Sequence, residues 1–315
     1  MARANQPTLA AGPDRAPAPG RSVLALLVVS LRPEQWTKNL LVFAGLVFGG
    51  RLLEPQALGR STWTFVIFCA LSGAVYLFND VSDRRADGQH PLKRSRPLAS
   101  GALQASTALV AMIVLTVAAL VGSLVVSVRL AGVAIGYAAL LLLYSALLKH
   151  VVILDVMAIA GGFVLRAVAG AVAVDVPISQ WLLACTTLLA LFLGLSKRRH
   201  ELLLLGEGAT DHRPILDEYS PYLLDQMIAV VTASTVIAYT VYATSADTAA
   251  RLGTMHLGIT VPFVLYGIFR YLYLVHQKQG GGNPSTALLA DRPLQACIAL
   301  WMTTVVALMY SPLGR

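Results

Sequence analysis

Apolar residues run along this chain in continuous blocks, and polar residues gather in the gaps between them. Nine blocks of about 18 to 23 residues stand out: about 39–56, 60–79, 104–126, 130–148, 151–173, 178–196, 224–245, 254–275 and 294–311. A helix needs roughly 20 apolar residues to cross the hydrocarbon core of a bilayer. The pattern therefore predicts an all-α integral membrane protein with nine transmembrane helices. Continuous rather than alternating hydrophobicity argues against a membrane β-barrel. A tenth block, Val23–Leu31, is too short to span and is expected to lie in the interface. Residues 1–21 are rich in Pro, Ala, Gly and Arg and are expected to form a disordered N-terminal tail. They lack the apolar stretch of a signal peptide. The expected organisation is that tail followed by one nine-helix domain over 22–315.

Composition agrees with the pattern. Of 315 residues, 57% are hydrophobic and 13% are charged, against about a quarter charged in soluble domains. The net charge of +8 is unevenly placed. With the N-terminus in the cytoplasm, the far side holds only Arg51, Arg60, Arg129, Arg251 and Arg315. That asymmetry predicts an N-in, C-out, multi-pass protein of a bacterial plasma membrane. Because the basic residues follow topology, no nucleic-acid partner is expected. Cys69, Cys185 and Cys297 each lie in an apolar block, without zinc or disulfide spacing, and are expected to pack as small hydrophobes.

The same topology puts loops 80–103 and 197–223 on one face, with the short Lys149-His150 connection. Polarity is thus stacked at one end. A transporter needs polar groups near the midplane, which makes transport a minor reading.

The first of these loops carries the clearest chemistry. Asn79, Asp80, Asp83 and Asp87 recur at helical spacing directly after an apolar block. On one continuous helix they share a side, where like charges repel. A hard cation would offset that repulsion. Mg²⁺ suits oxygen ligands and commonly takes one or two carboxylates plus substrate phosphates. The run Lys93-Arg94-Ser95-Arg96-Pro97-Leu98-Ala99-Ser100-Gly101 follows, and arginine forks match phosphate oxygens. Metal on one side and cations on the other is the pattern of a Mg-diphosphate site. The alternative for each is a solvated turn and a positive-inside anchor.

These residues resemble the UbiA superfamily of intramembrane prenyltransferases. Asn79, Asp80, Asp83 and Asp87 match its first motif, N-D/Q-x-x-D-x-x-x-D. Arg96 to Gly101 resembles the RPL-x-SG stretch that follows, and Tyr144 to Lys149 its tyrosine-to-lysine motif. The resemblance implies nine helices around a central cavity that opens laterally to lipid and holds a Mg²⁺-diphosphate, with Mn²⁺ as a substitute. It implies catalytic and metal-binding roles for Asp80, Asp83 and Asp87. The second aspartate-rich motif is missing. Ser196-Lys197-Arg198-Arg199-His200-Glu201 stands in its place, and Asp217, further along that loop, is the expected additional metal contact.

Within the superfamily the chain is most similar to the branch that moves phosphoribosyl groups. Carrying that similarity are Gln35-Trp36-Thr37-Lys38-Asn39, Tyr144 to His150, Gly162 to Ala167, Pro177 to Trp181 and Ser196 to Glu201. It implies transfer of 5-phosphoribosyl from phosphoribosyl diphosphate to a polyprenyl (decaprenyl) phosphate, for cell-wall arabinan precursors. Two heavily anionic substrates, each phosphomonoester carrying about −1.5 to −2, need an excess of cations. Lys38, Lys93, Arg94, Arg96, Lys149, Arg166, Lys197, Arg198 and Arg199 are the expected suppliers, with Asn79 and Tyr144 beside them. Arg166 lies deep in a block, eleven residues after Asp155, where an ionisable group is by default functional or part of an Asp–Arg network. The alternative reading is an aromatic prenyltransferase of quinone biosynthesis. Expected partners are the two substrates and the bilayer, with association into homo-oligomers left open.

Overall fold

The computed structural model describes residues 22–89, 93–205, 214–278, 287–288 and 290–310. The predicted tail, residues 1–21, lies outside them. All regular structure among the described residues is helical. In chain order the helices are α1 (Val23–Ser30), α2 (Ala44–Phe48), α3 (Pro55–Ser82), α4 (Arg84–Gln89), α5 (Ala105–Val126), α6 (Val128–Ala146), α7 (Leu154–Ala173), α8 (Gln180–Leu205), α9 (Pro221–Thr244), α10 (Ala246–Leu252), α11 (Val261–Gln277) and α12 (Arg292–Tyr310). Among the described residues, eight helices are long and apolar enough to cross a membrane: α3, α5, α6, α7, α8, α9, α11 with the 3₁₀ turn before it, and α12. Each falls on a predicted block.

The first predicted block is different. Pro33–Phe43 coils as a 3₁₀ helix and α2 adds little more than one α turn. The path still runs from one end of the bundle to the other. Arg32, at its start, pairs with Asp80 near the end of α3. At its close, the hydroxyl of Tyr310, the last residue of α12, accepts from Leu52 N at 3.2 Å and donates to Val47 O at 2.9 Å. With rises of about 2.0 Å and 1.5 Å per residue, the 11 and 5 residues of the two pieces cover about 30 Å. That is the hydrocarbon thickness. The ninth crossing exists, as an irregular one.

Irregular backbone survives at membrane depth only where protein or a cavity surrounds it. Here α7 does so. A Cβ on Gly170 would stand 1.8 Å from Val42 O, and one on Gly45 would stand 2.5 Å from Ala171 N. These two glycines let the 3₁₀ segment lie backbone to backbone against α7.

Two cores flank the centre of the bundle. Ile67, Phe68, Leu71, Leu130, Tyr137 and Ala169 form one. Val156, Phe192, Leu195, Ile228 and Tyr271 form the other. Val110, Ile113, Val114, Val117 and Val121 of α5 are exposed and provide a lipid-facing surface. Because the long helices alternate in direction, the ends of α3, α6 and α8 and the starts of α7, α9 and α12 gather at one end. The candidate site lies there.

Candidate active site

The aspartates do not share one uninterrupted helical face. Asp83 has φ −92° and ψ 6°, so α3 stops and α4 begins beyond it. The helical hydrogen bonds Asp83 N to Asn79 O and Asp87 N to Asp83 O persist at 2.8 Å each. Asp80 and Asp87, seven residues apart, therefore still lie nearly in line, and both are 3% exposed. Asp83 at the break turns out to solvent and has no ion-pair partner among the described residues. The expectation of a common face holds for Asp80 and Asp87 and is corrected for Asp83.

Arg96 ties the two buried carboxylates together. Its Nη1 donates to Asp87 Oδ2 at 2.5 Å and to Asp80 Oδ1 at 3.2 Å. Lys93 Nζ stands 3.6 Å from Asp87 Oδ1. The run after Arg96 explains how it is aimed. Leu98 and Leu103 are buried with Leu26, Leu77 and Ala108. Gly101, at φ 78°, lets the chain turn back between them. Arg84 Nε donates to Leu98 O at 3.1 Å. Arg94 is exposed. Arg32, given no role by sequence, also donates to Asp80 Oδ1 and stacks over the Tyr76 ring at 4.6 Å.

Beside this cluster, between the two cores, lies a cavity of about 650 Å³. The 3₁₀ segment, α2, α3, α6, α7, α8, α9, α11 and α12 all contribute to its wall. One part is polar: Gln35, Lys38, Asn79, Tyr144, Arg166 and Lys197. Another is aromatic: Phe48, Tyr239, Tyr242 and Trp301. Among the described lining residues there is no carboxylate.

Arg166 is the most telling member of that wall. Its Nε donates to Asn39 Oδ1 at 2.6 Å, Nη2 to the Tyr137 hydroxyl at 2.6 Å, and Nη1 to Gly162 O at 2.9 Å. Asn39 is fixed in turn, donating to Ser72 Oγ at 3.3 Å. Tyr137 and Phe163 rings lie 4.8 and 5.2 Å from the guanidinium carbon. These partners are neutral, so a buried cation beside the cavity has no ion-pair partner among the described residues. Asp155 shares its helix but lies three turns away in a different network.

In that second network Arg198 Nε donates to Asp155 Oδ2 at 2.7 Å, and its Nη1 pairs with Glu201. The Tyr219 hydroxyl donates to Asp155 Oδ1 and accepts from Ile153 N, each at 2.7 Å. Burial and the bond to Asp155 push that hydroxyl up to about 12, so it stays a donor at neutral pH. Ile153 has φ 68° and centres a turn in which Leu154 N donates to Val152 O at 2.8 Å, a strained form. Arg198, expected among the phosphate ligands, is thus enclosed by protein partners. Arg199 likewise pairs with Asp225, which also contacts His276. Of the three cations at this helix end, Lys197 is the one that lines the cavity.

Asp217 is exposed on the 3₁₀ turn Pro214–Glu218, while its neighbour Leu216 is buried. Glu218 beside it is exposed as well, and Asp211 and Arg213 of the same loop lie outside the described residues. Lys149 is half-buried on the 3₁₀ turn Leu148–His150. Among the described residues, no three of His, Cys, Asp and Glu converge closely enough to hold a metal ion by themselves. Asp217 does not join Asp80 and Asp87.

Comparison with known proteins gives the arrangement its place. The family described as "UbiA prenyltransferase family" matches residues 39–290. The chain belongs to that family. A UbiA homolog from Archaeoglobus fulgidus, solved bound to DMAPP and Mg²⁺, superposes with a TM-score of 0.68 over 89% of this chain and 99% of its own, at 17% identity. That likeness concerns the fold. Curated relatives lie nearer in sequence. The decaprenyl-phosphate phosphoribosyltransferase of Mycolicibacterium smegmatis is 34% identical over 93% of this chain and 95% of its own length. That of Corynebacterium glutamicum is 32% identical over 93% and 89%. Within this UbiA chain, two buried carboxylates joined by one arginine fit a divalent ion that draws its remaining ligands from phosphate oxygens.

Proposed function

We propose that the chain transfers 5-phosphoribosyl from phosphoribosyl diphosphate to a polyprenyl phosphate of the decaprenyl type, releasing pyrophosphate. The product would feed cell-wall arabinan synthesis. The observation that carries this reading is the cavity wall: Lys38, Arg166 and Lys197, no described carboxylate, and a long apolar remainder. A lipid phosphate, carrying about −1.5 to −2, fits such a wall better than an aromatic acceptor with a single carboxylate. The curated relatives named above support the same choice.

Asp80 and Asp87 would hold Mg²⁺, or Mn²⁺ in its place, and the exposed Asp83 between them in sequence would supply a third carboxylate. When bound, the ion neutralises charge on the departing pyrophosphate. Arg96, Lys93 and Arg32 bind diphosphate oxygens around it. Lys38, Arg166 and Lys197 hold the lipid phosphate, and Phe48, Tyr239, Tyr242 and Trp301 line the way for its chain. The bond from ribose C1 to the diphosphate oxygen breaks, and a lipid phosphate oxygen bonds to C1. Glycosyl transfers of this kind pass through oxocarbenium-like transition states. The attacking oxygen is already anionic, so no general base is required. Proximity and fixed cations supply much of the rate. Asp155, Arg198 and Tyr219 act as positioning residues that fix the start of α7 against α8. The aspartate end faces the cytoplasm of a bacterial plasma membrane, where phosphoribosyl diphosphate is met.

The reading is tested by donor choice. Membranes carrying the protein receive labelled phosphoribosyl diphosphate with decaprenyl phosphate, or a labelled prenyl diphosphate with hydroxybenzoate. Label enters lipid in the first pair. Incorporation in the second pair alone would make the chain an aromatic prenyltransferase.

A further inference from the structure

One oxygen of each buried carboxylate is already engaged by arginine. Asp80 Oδ1 accepts from both Arg32 and Arg96, and Asp87 Oδ2 accepts from Arg96 at 2.5 Å. Lys93 approaches the other oxygen of Asp87 at 3.6 Å. Charge-assisted bonds of this kind are among the strong ones, and a bare cation arriving here meets guanidinium charge beside both carboxylates.

The arginines, unlike the carboxylates, are built to move. Asp80 and Asp87 side chains are 3% and 5% exposed, against 23% and 30% for Arg32 and Arg96. Arg32 rests on the Tyr76 ring, and Tyr76 lines the cavity. Arg96 is tethered at its backbone by buried Leu98, so its fork can swing while its root stays fixed. A diphosphate offers both arginines new acceptors beside the old ones. A metal without diphosphate offers none.

We propose that Arg32 and Arg96 are displaceable counter-ions for Asp80 and Asp87, so that the metal enters only together with a diphosphate that takes the arginines over. Arg32 thereby becomes a diphosphate-binding residue of the site. The inference rests on the Mg-diphosphate reading above and adds an order of binding to it.

Mn²⁺ binding to the detergent-purified full chain, followed by electron paramagnetic resonance, tests the order. Wild-type protein is titrated with Mn²⁺ alone and with Mn²⁺ plus inorganic pyrophosphate. Pyrophosphate should tighten Mn²⁺ binding at least tenfold. Arg32→Gln and Arg96→Gln, made separately so that each serves as a check on the folding of the other, should each bind Mn²⁺ alone at least tenfold more tightly than wild type. Equal wild-type affinity with and without pyrophosphate would overturn the proposed order while leaving the metal site standing. Variants that bind Mn²⁺ alone no better than wild type would remove the counter-ion role. Absence of Mn²⁺ binding under both conditions would overturn the order and the metal-diphosphate reading together.

Discussion

Arg198 and Asp155 form an ion pair closed off from solvent, at 2.7 Å with side chains 1% and 0% exposed. Removing one partner of a buried pair typically costs 3–5 kcal/mol; Glu201 still faces Arg198 here, which places the loss of Asp155 at the low end, about 3 kcal/mol. Asp155→Ala should therefore lower unfolding stability in detergent by about that much, measured by thermal or denaturant unfolding. Substrate affinity measured on the fraction that stays folded should change less than stability does.

Arg166→Met should differ by acting on ligand affinity. No described carboxylate pairs with Arg166, so its removal strands no buried anion. Hydrogen bonds to charged groups contribute about 1.5–3 kcal/mol each. Affinity for the polyprenyl phosphate should accordingly fall about 10- to 100-fold, by titration of the purified protein, and each acceptor left by Arg166 on Asn39, Tyr137 and Gly162 should cost about 1–3 kcal/mol of stability. A melting loss with unchanged affinity would make Arg166 structural.

Close backbone packing makes a third prediction. Gly170→Ala drives a methyl into Val42 O, 1.8 Å from the ideal Cβ. The segment bearing Lys38 and Asn39 must then shift, and stability should fall by 2 kcal/mol or roughly more, in the range of overpacked cores. Gly132→Ala, on α6 with nothing within 4 Å of its Cβ, should be neutral or stabilising by up to about 1 kcal/mol. Parallel melting curves of the two variants decide it.

Tyr219 supplies a pH signature. Burial, with the bond to Asp155, raises its hydroxyl from the ordinary value near 10 to about 12. A group whose folded pKa is raised contributes stability that is full below its unfolded pKa and lost as pH rises through the folded one. Wild type should therefore lose stability between pH 10 and about 12 to a greater extent than Tyr219→Phe. Identical pH profiles for the two proteins would show that the hydroxyl is not so held. At neutral pH the variant should lose about 1–3 kcal/mol, from Ile153 N and Asp155 Oδ1 left without this partner.

Hydropathy made most of the fold legible, because a span must be apolar over its whole length to sit in lipid. Eight blocks became regular helices for that reason. The first block did not, since Gly45 and Gly170 let α7 replace lipid around a 3₁₀ path, and composition is blind to what surrounds a segment. Asp80 and Asp87 were legible from helical spacing. The turning out of Asp83 was not, because it depends on one ψ angle. Arg32 escaped notice because its partner lies 48 residues away. Arg198 and Arg199 read as phosphate ligands from their charge. Glu201 pairs with Arg198 from three residues on, but Asp155 and Asp225 lie 43 and 26 residues away from Arg198 and Arg199, and only the packing of α8 against α7 and α9 brings them in.

The most direct measurement follows both products in one vessel. Purified protein in liposomes receives phosphoribosyl diphosphate labelled in the ribose, decaprenyl phosphate and Mg²⁺, and lipid-extractable label and released pyrophosphate are counted together. The expected result is one pyrophosphate per labelled lipid in wild type, with both lost in Asp83→Ala while its melting temperature is kept, as the exposed position of Asp83 requires. Pyrophosphate release without labelled lipid, or undiminished transfer by Asp83→Ala, would contradict phosphoribosyl transfer at this aspartate end.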